Sequence, residues 1–300
     1  MRGLVIKSTG SSYIVRLDDG SDVECRIKGN FRIRGIRSTN PIAVGDYVTV
    51  EDSWITDVED RKNYIIRKST NLSKESHILA ANIDQVALIV TVNHPVTSTT
   101  FIDRFLATCE AYRVRAILIF NKMDLMTDEE KAQVDELRAL YESIGYETIE
   151  LSAISVQPLD LFSLFADKTT LLSGNSGVGK STLLNALFGK EMTRTGKISD
   201  AHDKGMHTTT FSEMYFLDDG RIIDTPGIKG FGTIDFEKEE VGHYFRDIFR
   251  VSRDCRFGNC THTNEPGCAV QEAVVRGEIA VSRYESYLSL LGDCEEGKYR

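Results

Sequence analysis

Residues 174–181, Gly-Asn-Ser-Gly-Val-Gly-Lys-Ser, fit the spacing G-x-x-x-x-G-K-[ST], in which backbone N–H groups wrap phosphate oxygens. Gly174, Gly177 and Gly179 let the chain turn tightly and approach an anion with no Cβ in the way. Lys180 is spaced to reach β- and γ-phosphates and the Ser181 hydroxyl to bind Mg²⁺; Asn175, Ser176, Val178 and Thr182 complete the stretch. A second motif, Asn121-Lys122-Met123-Asp124, succeeds the apolar run 116–120. A carboxylate such as Asp124 accepts hydrogen bonds only, so it can take two from the N–H edge of guanine, a pair of donors that adenine lacks. Lys122 would lie over the base and Asn121 would tie the loop down. Ser152-Ala153 either supports the base through backbone N–H groups or is a plain strand-to-loop transition.

Two further segments would sense the terminal phosphate. Residues 221–227 read as a strand ending in Asp-x-x-Gly, with Asp224 holding Mg²⁺ through water and the Gly227 N–H on the γ-phosphate. The polar stretch 193–210 has little hydrophobic periodicity and ends in His207-Thr208-Thr209-Thr210, which reads as a mobile switch loop. One of these threonines is expected on Mg²⁺, Thr209 first and Thr208 next; a threonine-rich strand start is the alternative. Ile228 comes directly after Asp-x-x-Gly, where a glutamine would orient the attacking water. Isoleucine neither donates nor accepts, so another group must act. His207 is the candidate, against the plainer reading of a structural or exposed histidine. Slow turnover without a partner is the expected consequence.

These groups need rigid supports. Residues 169–173 read as a short buried strand and 181–187 as a helix whose N-terminus faces the phosphates. The run 116–120 reads as a buried parallel strand, with the base motif at its C-terminal end, where open α/β sheets bind ligands. Residues 85–92 read as the first strand of this domain, 101–109 as the start of a helix, and Asp128-Glu129-Glu130 as another helix start. His94 reads as a loop residue rather than a ligand. The base motif precedes the phosphate loop, the reverse of an ordinary small GTPase. The motif set has been cut and rejoined, which puts the phosphate-sensing segments directly upstream of the chain beyond residue 230.

That C-terminal stretch holds Cys255-x4-Cys260-x-His262-x5-Cys268. Three thiolates and an imidazole make a closed tetrahedral zinc set, and the turn-rich residues between them let the ligands fold back on one ion. Iron is not excluded by the pattern. With no leader-like segment and an intracellular nucleotide chemistry, a disulfide is the lesser alternative and reduced free thiols the better one. Cys25, Cys109 and Cys294 are isolated and read as ordinary thiols. Apolar spacing predicts helices over 236–251, 270–275 and 279–291.

At the other end, short strand-like runs at 3–8, 12–17, 22–27, 47–51 and 64–67 suit a small barrel of OB type. Arg26, Lys28, Arg32, Arg34 and Arg37 fall between Cys25 and Gly45 with no acidic residue, and Phe31 lies among them. Basic charge with an aromatic suits an RNA backbone and its bases; a solvated loop is the bland alternative. The net charge of −9 rules out a general polyanion binder, so any RNA contact is local. A chain 41% hydrophobic and 27% charged with no long apolar run reads as globular, without membrane contact. The polar linker 69–77 and a break near 232–236 divide it into 1–70, 71–233 and 234–300.

In motif order, from Asn121-Lys122-Met123-Asp124 through Ser152-Ala153, 174–181, His207-Thr208-Thr209-Thr210 and Asp224-Thr225-Pro226-Gly227 to the Cys/His cluster, the chain resembles the RsgA (YjeQ) family over essentially its whole length. The resemblance implies a multidomain α/β protein: an OB-fold β-barrel, a circularly permuted P-loop GTPase domain and a C-terminal helical zinc-binding domain. It implies GTP hydrolysis stimulated by the small ribosomal subunit during its late maturation, with rRNA contact. It supports His207 as the catalytic group in place of glutamine. Expected with it are GTP or GDP with Mg²⁺, one structural Zn²⁺, a cytoplasmic location and a monomer. The competing reading is an RNA-binding switch gated by GTP, with hydrolysis too slow to matter.

Overall fold

The structure is a computed structural model that describes residues 1–9, 12–27, 41–68, 76–155, 158–188, 212–225 and 236–296. Alternation of inward and outward side chains shapes its first part. Strands β1 (Arg2–Ser8), β2 (Tyr13–Leu17), β3 (Asp22–Ile27), β4 (Tyr47–Glu51) and β5 (Trp54–Val58) close in the order β1-β2-β3-β5-β4-β1, a five-stranded barrel of OB type. Val5, Tyr13, Val15, Cys25, Val48 and Ile55 fill its interior. The fifth strand is Trp54–Val58, not the expected 64–67. β6 (Tyr64–Lys68) instead pairs with β7 (Ser76–Ala81) as a separate two-stranded sheet, so the polar linker ends in a strand at Ser76 and His77. β1 serves two cores: Val5 points into the barrel, while Leu4 and Ile6 pack into the core of the next domain.

That domain is built on β8 (Gln85–Val90), β9 (Arg115–Phe120), β10 (Glu147–Glu150), β11 (Thr169–Ser173), β12 (Glu213–Phe216) and β13 (Arg221–Asp224). Their order is β10-β9-β8-β11-β13-β12, parallel except for β12. β8 and β11 are buried at every position, as central parallel strands covered on both faces must be. On one face Val86, Leu88 and Val90 meet Phe105 of α1 (Thr99–Ala111) and Tyr141 of α2 (Asp128–Ser143). On the other, Ala87 and Ile89 meet Phe165 of α3 (Pro158–Phe165) and Leu183 and Leu187 of α4 (Lys180–Phe188). The Ser98 hydroxyl caps α1, and Thr127 with Glu130 forms a reciprocal capping box that starts α2. The acidic run at 128–130 is therefore a helix start, as its sequence implies.

The single helix expected over 236–251 is two pieces, a 3-10 helix at Lys238–Tyr244 and α5 (Arg246–Ser252). Phe245 breaks them in an extended conformation (φ −108°, ψ 102°). Its ring is fully buried, edge-on to Tyr287, with the Arg283 guanidinium 4.8 Å from its centre. The break turns Phe245 inward and restarts the helix so that Asp247 meets Arg283. α6 (Ala269–Val275) and α7 (Val281–Glu296) complete this part, and α7 packs against α1. Among the described residues no helix is long and apolar enough to cross a membrane.

Candidate nucleotide and metal sites

The C-terminal ends of β8, β9, β11 and β13 carry the loops that hold the motifs. Gly174 (φ 145°) and Gly179 (φ 105°) take conformations that L side chains avoid, and a Cβ would strike the Ile89 carbonyl at the first and the Asn121 amide at the second. The phosphate loop is thus fitted against the base motif. Asn121, only 1% exposed, donates from Nδ2 to the Val178 carbonyl at 2.8 Å and accepts from the Ala153 N–H at 3.0 Å. One buried amide joins the three segments that the sequence singles out. The Asp124 N–H donates to Ser152 Oγ at 3.0 Å, and the Asp124 side chain stays exposed at the mouth.

Lys122 adopts a left-handed backbone (φ 67°), and its Nζ donates to the His94 carbonyl. His94 thus supports the base motif through its backbone, in keeping with a loop residue, and Pro95 lies beside Gly177. The sequence does not announce these contacts; its one signal for them is a Pro-containing turn at the end of an apolar strand. Lys180 Nζ donates to the carbonyls of Gly174 and Asn175 at 2.7 and 2.8 Å. Burial lowers its pKa, and the nearby Asp224 carboxylate opposes that shift. Asp224 is 4% exposed at the end of β13. Next to it Thr225 Oγ1 donates to the Leu172 carbonyl at 3.3 Å, tying β13 to β11. Ser181 and Thr182 are exposed on the first turn of α4, where free N–H groups favour an anion.

His207, Thr209 and Gly227, with Thr208, Thr210 and Ile228, lie outside the described residues. So do Lys28, Phe31, Arg32, Arg34 and Arg37. Arg26 is exposed on β3, pointing away from the barrel interior that its neighbour Cys25 fills.

The ligand atoms of Cys255, Cys260, His262 and Cys268 all lie within 4.8 Å of one another. His262 Nδ1 stands 3.6 and 3.5 Å from the sulfurs of Cys255 and Cys268, which are 4.0 Å apart. A tetrahedron with metal–sulfur bonds of about 2.3 Å has edges of roughly 3.8 Å, so the set fits zinc. Burial pushes the Cys260 thiol up to about 12 and the Cys268 thiol up as well, while burial holds the His262 imidazole in its neutral, ligating form. A divalent cation would reverse the thiol shifts. The loop bearing His262 (φ 57°) is pinned from outside. Tyr284 and Tyr287 donate to the carbonyls of His262 and Thr261, both at 2.6 Å, and Gln271 donates to those of His262 and Thr263. Burial alone would raise the Glu265 carboxyl, but the Thr261 hydroxyl and the Thr261 and Thr263 amides hold it at about 2.

Two family descriptions match the chain, "RsgA GTPase" over residues 58–234 and "RsgA N-terminal domain" over residues 2–58. The small ribosomal subunit biogenesis GTPase RsgA of Phocaeicola vulgatus is 60% identical over 307 residues, an alignment spanning 100% of this chain and 99% of that one. The protein of the same name from Porphyromonas gingivalis is 57% identical over 312 residues, with the same coverage. Among solved structures, YjeQ of Thermotoga maritima superposes with a TM-score of 0.74 at 33% identity over 98% of both chains. YloQ, described as a circularly permuted GTPase, gives 0.73 at 32% identity over 100% of this chain and 96% of its own.

Proposed function

The chain belongs to the RsgA family of GTPases, and from that premise we propose how its residues divide the work. It is a ribosome biogenesis GTPase that hydrolyses GTP to GDP and phosphate. We take residues 1–70 as an RNA-contacting barrel, 71–233 as the permuted GTPase domain and 234–300 as the zinc-binding domain. Its partner is the small ribosomal subunit with its rRNA, late in subunit maturation, met in the cytoplasm by a monomer that does not touch membrane.

The observation that carries the nucleotide reading is the pair of hydrogen bonds at Asn121. They support a pocket in which Asp124 reads guanine, Lys122 and Met123 flank it, and Ser152 and Ala153 support the base. Residues 174–182 wrap the phosphates and Lys180 offsets the charge that builds on them. Mg²⁺, which neutralises charge on the β- and γ-phosphates, would be held by Ser181, Thr209 and Asp224. Gly227 would contact the γ-phosphate and His207 would orient the attacking water. Cys255, Cys260, His262 and Cys268 would hold Zn²⁺, which cross-links a region too short for a large core. Arg26, Lys28, Phe31, Arg32, Arg34 and Arg37 would contact rRNA.

Ile228 favours a second reading, a GTP-gated RNA-binding switch with negligible turnover. The deciding experiment is GTP hydrolysis with and without isolated small subunits. Stimulation of the wild type, lost in His207→Ala with GTP affinity retained, supports the enzyme. Nucleotide-dependent subunit binding with no stimulation leaves the switch.

A further inference from the structure

A nucleotide site can govern a distant barrel only through groups that physically join the two. Three strands meet along one row at their boundary: Lys7 of β1 is paired with Glu213 of β12, and Glu213 with Asp224 of β13. Lys7 Nζ stands 3.0 Å from Glu213 Oε1, and the Ser8 N–H donates to the Ser212 carbonyl at 3.3 Å. Asp224 in turn is paired with Leu172 of β11, two residues before Gly174 of the phosphate loop. The row therefore reads positive, negative, negative: Lys7, Glu213, Asp224. Residues at paired positions on neighbouring strands project to the same face, and like charges there repel. Lys7 offsets that repulsion from the barrel side.

We propose that the Lys7–Glu213 pair is a coupling element that transmits the charge state of the nucleotide site to the N-terminal barrel; the reading of that site under the proposed function is its premise. A cation and a γ-phosphate beside Asp224 would change the field at Glu213, and with it the strength of the only paired row between β1 and β12 among the described residues. The rest of the seam is held independently of the site. The Arg16 guanidinium lies 4.2 Å from the centre of the Phe216 ring, and Arg221 Nη1 donates to the Tyr47 hydroxyl at 3.1 Å. The seam thus has one end that feels the nucleotide and another that does not.

The test is amide hydrogen exchange of β1 in the full chain, with a non-hydrolysable GTP analogue and Mg²⁺ and with GDP. It is run on the wild type, Lys7→Glu, Glu213→Lys and the double reversal, with Lys7→Gln as a milder variant should a reversal unfold. Exchange of β1 is expected to differ between nucleotides by no more than about fivefold, the most that an ion pair one-third exposed can carry. The difference should collapse in each single variant and return with its sign inverted in the double, an outcome that a merely structural pair would not give in a nucleotide-dependent readout. A wild type with no difference, singles that keep it, or a double that fails to restore it with inverted sign overturns the coupling. Small-subunit binding by the wild type, measured in parallel, separates failure of the functional reading, because the exchange result needs no ribosome.

Discussion

At Asn121 one side-chain amide donates to the Val178 carbonyl and accepts from the Ala153 N–H, and its nitrogen occupies the space that a side chain at Gly179 would need. Replacing it with alanine would leave a buried carbonyl and a buried N–H without partners, each costing about 1–3 kcal/mol. Much of that cost falls on keeping the two loops in register. Asn121→Ala is therefore expected to weaken GTP and GDP binding alike, by roughly 10- to 100-fold, because neither bond lies at the γ-phosphate. Equilibrium titration with both nucleotides checks this; a loss confined to GTP would mean that Asn121 acts on the switches instead. Asn121 is legible in the sequence because the spacing Asn-Lys-x-Asp is a motif. His94 is not, because it acts through its carbonyl, a group that every residue type supplies.

Strands are legible in proportion to how much of their length is apolar and buried. β8 and β9 are mostly apolar runs buried throughout or nearly so, and each stands out. β5 does not, because Ile55 is its one fully buried side chain among Trp-Ile-Thr-Asp-Val. The turn before it uses Asp52 and Ser53 at positive φ in place of glycine, so the usual hairpin signal is missing. Over 236–251 the helical apolar spacing is real, but Phe245 breaks the backbone for a tertiary reason that spacing does not carry. In the metal loop the ligands are legible, while the support by Tyr284, Tyr287 and Glu265 is not. Glu265 takes four donors, from the Thr261 N–H and hydroxyl and from the N–H groups of Thr263 and Asn264. A carboxylate pKa lowered from 4.5 to about 2 stabilises the fold above the unfolded value, and that contribution fades as pH falls from about 4.5 towards 2. Glu265→Gln should remove it, lowering the melting temperature at pH 7 by a few degrees, with the gap to wild type narrowing in acid. A gap that stays constant from pH 7 to pH 3 would show that the charge is not what matters.

At the scale of the whole molecule, α1 joins the nucleotide domain to the C-terminal helices through charge. Arg104 pairs with Asp293 at 2.8 Å and Glu110 with Arg246 at 2.7 Å, both partly exposed. Between them Arg283, 1% exposed, pairs with Asp103 of α1 and Asp247 of α5, each at 2.8 Å, and Tyr141 of α2 donates to Asp103. Burial raises the Asp103 pKa against the pull of Arg283, so the cluster holds its charges only while the guanidinium is present. Arg283→Met removes the cation that faces these two buried carboxylates and should cost about 3–5 kcal/mol. Arg283→Met with Asp103→Asn and Asp247→Asn removes the buried charge altogether and should regain most of that loss, since a buried ionic cluster adds little over a neutral, well-packed one. Denaturant unfolding of the single and triple variants compares the two. A triple variant no more stable than the single would place the contribution of Arg283 in its packing on Phe245 and not in its charge.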